Sequence, residues 1–389
     1  MNECSADYVI RVHSDPAELP CAQWNALLAR QDQPTPFMRL EYLKALHDAG
    51  CAIAETGWTA QFVSVWLGET LVAACPAYLK SHSYGEYVFD WAWADAYQRH
   101  GLHYYPKLLV AVPFTPVPGS RLLAIDAQSR AMLVQGLQAL AQEQQLSSAH
   151  LLFGAECDHA AALDLDWIER SNVQFHWQNR RPLPYATFEE FLGSLQRDKR
   201  KKILQEQRRV HEAGILFESL EGEQISHQDW DFFYLCYQLT YRAHHSQPYL
   251  TRKFFELMSK NMSPNWLLFI AKRGDQRIGA SLLALDPLQR VAYGRYWGSI
   301  ETVSCLHFDA CYYQPLAWCI ERGYQRFEGG AQGKHKMARG LLPVVTQSSH
   351  WLAHPGFRNA VTDFLAQEGQ SMRDYVNELE LHQPFKPLP

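Results

Sequence analysis

Short apolar runs that end in polar turns alternate along this chain with longer stretches of helical spacing, a pattern that predicts mixed α and β layers rather than a bundle or a sandwich. Gln61-Phe-Val-Ser-Val-Trp-Leu-Gly68 reads as a strand closing in a turn, Leu71 to Leu79 resumes, and Tyr84-Gly-Glu-Tyr87 opens a third strand-like segment. The same order returns in Leu267-Leu-Phe-Ile-Ala-Lys-Arg-Gly274, in Ile278 to Leu285 and in Tyr293-Gly-Arg-Tyr296. Pairing Phe62 with Phe269, Gly68 with Gly274, Ala74 with Ala280 and Tyr84 with Tyr293 gives offsets of 207, 206, 206 and 209. Each copy then runs into a helix-like stretch with a tyrosine pair, Tyr104-Tyr105 and Tyr312-Tyr313, at an offset of 208. The spacing predicts two similar halves, each strand, turn, strand, strand, helix; two unrelated α/β stretches are the alternative.

Between the halves, Arg180-Arg-Pro-Leu-Pro184 suits an extended linker. It divides the chain into a domain of residues 1–180 and one of residues 181–389. Thr187-Phe-Glu-Glu190 has the spacing of a capping box, so a helix starts at Thr187 and pauses at Gly193-Ser194. A second helix runs from Arg197 to Glu212 and stops at Gly214, which can take the left-handed conformation that ends helices. Further helices are expected over Trp230–His244, Thr251–Lys260, Phe308–Arg322 and Pro355–Gln367.

Composition narrows the class. The 389 residues are 47% hydrophobic and 20% charged, too apolar for a disordered chain. A net charge of −5 excludes a surface that attracts polyanions as a whole, so any nucleic-acid site is local. Nine Cys with no CxxC pair and no zinc spacing read as reduced thiols, and no metal set emerges. Met1-Asn-Glu-Cys-Ser-Ala-Asp7 carries acid where a signal peptide needs base, and no apolar run approaches a membrane span of ~18 residues. A cytoplasmic protein with no transmembrane segment is the expectation.

Two stretches concentrate positive charge. Over residues 197–209, Arg197, Lys199, Arg200, Lys201, Lys202, Arg208 and Arg209 outweigh Asp198 and Glu206 by +5. On a helix these charges wrap around much of the surface, which describes either a solvated helix or a footprint for the phosphates of a nucleotide, a tRNA or an envelope precursor. In Glu328-Gly-Gly-Ala-Gln-Gly-Lys-His-Lys-Met-Ala-Arg339, three glycines let backbone N–H groups approach an anion, and Lys334, His335, Lys336 and Arg339 add charge and donors. The alternative is a tight structural turn. Neither the P-loop nor the dinucleotide fingerprint matches. His307 falls near a helix N-terminus, where the dipole keeps the imidazole neutral and available as a base. Glu328 is a second candidate base, should burial raise its pKa. Cys305 and Cys311 flank His307, and Cys311 shares its helical face, which admits a thiol nucleophile. There is no Gly-x-Ser-x-Gly elbow.

Tyr293-Gly-Arg-Tyr-Trp-Gly298, Leu306-His-Phe-Asp-Ala-Cys-Tyr-Tyr-Gln314, Glu328-Gly-Gly-Ala-Gln-Gly-Lys-His-Lys336 and Ala338-Arg-Gly-Leu-Leu-Pro343 resemble segments of the bacterial FemAB-like proteins, as do Val112-Pro-Phe-Thr-Pro116 and the basic segment. That family is described as acting in peptidoglycan biosynthesis or recognition and is placed in the GNAT acyltransferase superfamily. The resemblance implies an α/β (α+β) fold of tandem GNAT-like units, each a mixed, mostly antiparallel sheet flanked by helices. It also implies transfer of an acyl or aminoacyl group from a CoA thioester or an aminoacyl-tRNA to an amine of a small molecule or cell-envelope precursor. On that expectation His307 or Glu328 is the base, and Arg295, Tyr296, Trp297, Gly329, Gly330, Gln332, Gly333, Lys334, His335, Lys336 and Arg339 meet the donor, with backbone donors at Arg295–Gly298 facing the oxyanion. The superfamily's [QR]-x-x-G-x-[GA] pattern is met by Arg326-Phe-Glu-Gly-Gly-Ala331, but after a strand-like segment rather than before the long helix, so the match is accidental. Ser299 to His307, where pyrophosphate ought to bind, lacks those glycines, and Lys334 stands where the family has an acid. The rival expectation is a non-catalytic module that binds an anionic envelope precursor or RNA through the basic helix.

Overall fold

The computed structural model describes residues 8–331 and 333–386. The chain forms two compact units, Met1–Asn172 with Val345–Asp374, and Val173–Val344 with Tyr375–Pro389. A single cut at residue 180 would assign 345–374 to the second half; in the structure this segment packs with the first unit.

The first unit contains β1 (Tyr8–His13), β2 (Trp58–Ala60), β3 (Phe62–Leu67), β4 (Thr70–Cys75), β5 (Ala77–Lys80), β6 (Lys107–Val110), β7 (Leu123–Ala124) and β8 (Ser148–Leu152). Four of them form an antiparallel sheet in the order β1-β3-β4-β7. The others belong to a different sheet, in the order β8-β6-β5-β2, in which only β6 and β8 are parallel. The helix Ala127–Glu143 begins where the Asp126 carboxylate accepts from the Ser129 N–H. Its Leu133, Val134, Leu137 and Ala141 are packed with Val63, Val65, Val72 and Val110, so the core lies between this helix and the strands.

The second unit contains β9 (Ile168–Gln178, which begins in the first unit), β10 (Ile215–Glu221), β11 (Trp266–Arg273), β12 (Gln276–Asp286), β13 (Val291–Ser299) and β14 (Arg326–Ala331); β15 (Leu342–Leu352) leads the chain back. Their order is β10-β11-β12-β13-β14-β9, antiparallel throughout except for β13 with β14. The second unit is therefore a mixed, mostly antiparallel sheet flanked by helices, and the first divides its mostly antiparallel strands between two sheets.

The predicted repeat holds at its hairpins. β3 turns into β4 at Gly68 and β11 into β12 at Gly274, and both glycines take the left-handed conformation, with φ of 59° and 58°. It fails beyond them. Tyr84–Tyr87 is a loop, because Gly85 and Tyr87 have φ of 82° and 63° and cannot extend a strand, whereas Tyr293–Tyr296 lies within β13. Tyr104 and Tyr105 precede Pro106 and are not helical, whereas Tyr312 and Tyr313 lie in a helix. The Thr187 cap is formed, its hydroxyl accepting from the Glu190 N–H, and the Arg197–Glu212 helix has the expected bounds. The Pro355–Leu381 helix runs past the Gln367 expected for its end.

Candidate active site

β13 and β14 begin as a parallel pair, with Val291 opposite Arg326, Ala292 opposite Phe327 and Tyr293 opposite Glu328. Beyond Tyr293 the two strands part. On the other side of β13, Leu283 faces Gly294 while Leu282 faces Tyr296, so Arg295 is an extra residue, a β-bulge that bends the strand where it leaves its neighbour. The fork encloses a cavity of about 140 Å³ lined by Gly294 to Trp297 of β13 and by Phe327 and Gly329 of β14. Ser281 of β12 and His307, Cys311 and Tyr312 of the connecting helix complete it.

That helix spans 306–321, with a π-helical stretch at Asp309–Tyr313. It starts after Cys305, which holds a left-handed φ of 66°. His307 and Cys311, four positions apart, share the face turned to the fork. His307 keeps an exposed edge at the cavity mouth, its ring 5.8 Å from that of Trp297 and 5.9 Å from that of Tyr312. Burial lowers its pKa to about 4, and the nearby cations Arg339 and Lys336, with the His335 imidazole when protonated, add to the drop. The imidazole is thus neutral at pH 7, through burial and positive neighbours more than through the helix dipole that sequence suggested. Burial pushes the Cys311 thiol up to about 12, so it is protonated at neutral pH and unsuited to act as a nucleophile. The Tyr312 hydroxyl, held protonated by burial, lies 3.3 Å from His335 Nε2.

The structure therefore brings Arg295, Tyr296, Trp297, His307 and Gly329 around one cavity, and it redirects several other residues. Glu328 does not line the fork. Side chains alternate along a strand, so Phe327 and Gly329 face the cavity while Glu328 turns away toward Arg326 Nε at 3.0 Å and His176 Nε2 at 3.8 Å. Lys336 is buried and donates to the carbonyls of Gly329 at 2.6 Å and Gly330 at 2.9 Å, and burial lowers its pKa to about 8. It clamps the end of β14, where Gly330 has φ 78°. Arg339, 2% exposed, bonds Glu206 at 3.0 Å and the His335 carbonyl at 2.8 Å and lies 3.7 Å over the Phe308 ring. Two of the four cations expected to grip a donor's phosphates are thus internal fasteners. His335 is exposed, and Gly333 opens the turn with φ 118°. Gln332 lies outside the described residues, as does the side chain of Lys334.

On the Arg197–Glu212 helix, Ile203, Glu206 and Val210 are buried along one stripe. Arg197, Lys201, Lys202, Arg208 and Arg209 are exposed, and Lys199 and Arg200 are half-buried. Glu206, which in sequence is one of two acids in a basic run, holds Arg339 and the Tyr313 hydroxyl. Its place between Ile203 and Val210 at helical spacing was the available signal. Ser281 and Tyr312 were not anticipated either, since β12 carries no chemical motif. The literal [QR]-x-x-G-x-[GA] match is β14 itself, a strand and not a helix start. Among the described residues, no group of three His, Cys, Asp or Glu is placed to hold a metal, and no helix is long and apolar enough to cross a membrane.

In the second unit a mixed sheet opens its parallel pair around a bulge, and a helix closes the gap, an α/β fold. The family model for FemAB-like proteins, described as peptidoglycan biosynthesis/recognition, matches residues 15–387, and the chain belongs to that family. Among solved structures it is similar to FemX at 9% identity, covering 88% of this chain and 98% of that one with a TM-score of 0.53. It is also similar to L-PGS from Bacillus licheniformis at 10% identity, covering 91% and 99% with a TM-score of 0.54. A conserved protein of unknown function from Bacteroides thetaiotaomicron matches at 9% identity, covering 88% and 100% with a TM-score of 0.51. At these identities the likeness is one of fold. No curated protein sequence matches.

Proposed function

We propose that this chain is an N-acyltransferase that moves an acyl or aminoacyl group from a CoA thioester or an aminoacyl-tRNA to an amine, in the cytoplasm and on a cell-envelope precursor. The observation that carries the reading is the parting of β13 and β14 at the Arg295 bulge around a cavity that His307 overlooks. The acyl carbonyl enters the fork. The amine nitrogen attacks it, the C–N bond forms, and the C–S or C–O bond to the donor breaks. Backbone N–H groups at Arg295–Gly298 face the developing oxyanion. As the C–N bond forms, the ammonium becomes more acidic, so even a weak neutral base such as His307 can take its proton and pass it to the departing thiolate or alkoxide. The Tyr312 hydroxyl is a second donor to that leaving group. Donor phosphates lie against His335 and the glycine-rich turn Gly329, Gly330, Gly333. Lys336 and Arg339 serve them by holding that turn. Glu328 is assigned no step.

The test is product formation. Acetyl-CoA, longer acyl-CoAs and aminoacyl-tRNA are each incubated with the protein and amine acceptors, and products are read by mass spectrometry. Transfer from one of them that falls at least about 10²-fold in His307→Ala supports the reading. Full activity in that variant removes His307 as the base. Absence of both product and thermal shift with every donor overturns the assignment.

The exposed cations at Arg197–Arg209 support a second reading, recognition of an anionic precursor or RNA without turnover. Its signature is an affinity that falls linearly in log K against log salt, with no product.

A further inference from the structure

The second unit holds another cavity, of about 260 Å³, that shares no lining residue with the fork. His307 and Cys311 turn one face of the 306–321 helix to the fork. Asp309 lies between them in sequence, and so projects from the other side, into this second cavity. Asp309 is 4% exposed. Gln314 Nε2 donates to Oδ1 at 3.0 Å, and the Gln207 side chain also hydrogen-bonds it. Both partners are neutral amides. Burial raises the Asp309 pKa to about 6, and the Glu206 carboxylate, of the same sign, adds to the rise. Val210, Ile215, Leu216 and Phe217 supply an apolar wall on the other side, and the exposed His211 also lines the cavity.

A carboxylate taken out of water with only amide partners lacks the cation that buried acids ordinarily have. It sits on the π-helical stretch Asp309–Tyr313, and such stretches occur frequently at functional sites. A metal ion is a poor match, because one carboxylate and two amides offer few hard ligands. An ammonium group attached to a short hydrocarbon satisfies both halves of the cavity, with its charge at the floor and its body against the wall.

We propose that this cavity is a second ligand site, which takes a small organic ammonium ion with its nitrogen on Asp309 and its hydrocarbon against Val210, Ile215 and Phe217. The site does not depend on the acyl-transfer reading. A ligand seated there is separated from the fork by the helix, so it is not the acceptor attacking the acyl carbonyl.

The experiment is thermal unfolding of the full chain with phenethylammonium chloride, using 2-phenylethanol as the neutral control of similar shape. At roughly five times Kd, the ammonium raises the unfolding temperature by about 2–4 °C and the alcohol does not. Asp309→Asn keeps the size and hydrogen bonding of the floor and loses the shift. Leu216→Lys changes a position that is 66% exposed, places a tethered ammonium at the mouth, and also loses the shift. The second variant decides the matter if the first does not fold. Equal response to ammonium and alcohol, a shift retained in the variants, or no shift in the unaltered chain overturns the proposal.

Discussion

The two basic stretches have similar composition and opposite fates. In residues 197–209 the cations surround an amphipathic helix and stay at the surface, because its one buried stripe is filled by Ile203, Glu206 and Val210. In residues 334–339, Lys336 and Arg339 are inside, bonded to two carbonyls and to Glu206. The two stretches even meet through the Arg339–Glu206 pair, the acid coming from the basic helix. A count of charges therefore does not identify an anion site. What decides is whether an internal acceptor waits for each cation, since a charge that finds one is held in place and a charge that does not stays in water.

The comparison breaks most directly at Arg339. Arg339→Met leaves the Glu206 carboxylate buried without its cation and is expected to cost about 3–5 kcal/mol, read as a lower denaturation midpoint. Arg208→Gln, on the surface, should stay within about 0.5 kcal/mol of the unaltered chain. Comparable costs for the two would erase the distinction.

A comparable effect, on turnover rather than on stability, is expected at His307, which feels the internal cations. His307→Ala should lower turnover about 10²- to 10⁴-fold while leaving the unfolding temperature unchanged. Its depressed pKa has a definite sign. Between about 4 and the ordinary 6.5, the unfolded chain binds this proton and the folded chain does not. Above about 6.5 the group is neutral in both states and costs nothing, so the unfolding temperature there is the same without it; as pH falls toward 4 the folded chain loses stability that His307→Ala keeps. By the same reasoning the acid limb of kcat/KM lies near pH 4, and a limb near 6.5 would count against His307.

Lys336→Gln sharpens the picture further. It leaves the carbonyls of Gly329 and Gly330 poorly satisfied, at about 1–3 kcal/mol, and by removing a positive neighbour it moves the acid limb upward from 4. A limb that stays put would show that Lys336 does not act on His307, leaving burial, His335 and Arg339 to set its pKa.

The smallest stability effect belongs to the helix surface. Replacing Lys201, Lys202, Arg208 and Arg209 with Gln should leave the unfolding midpoint almost untouched. If this face binds RNA, the slope of log K against log salt flattens by about 0.7 for each lost phosphate contact. An unchanged slope would mark these residues as a solvated face only.

Where local chemistry dictates structure, the sequence was legible. The hairpins at Gly68 and Gly274, the Thr187 cap and the Arg197–Glu212 helix follow from glycine conformation, hydroxyl capping and apolar spacing, all of which act within a few residues. Tyr84-Gly-Glu-Tyr87 misled because it shares a motif with β13, yet the positive φ of Gly85 and Tyr87 is imposed by their loop. Glu328 was nominated for its chemical type, and strand alternation turned it from the cavity. Asp309 drew no notice, since nothing in its neighbours announces that amides and apolar residues from two other elements will enclose it.

Taken alone, the order of residues settled the alternation of strands and helices, the family motifs and the presence of two charge-rich stretches, because each is written in neighbouring positions. Only the tertiary structure decided which cations are buried, which imidazole overlooks the fork and which carboxylate lies in a second cavity. Those outcomes depend on desolvation and on partners far apart in the chain, such as Glu206 and Arg339, whose meeting no local pattern encodes.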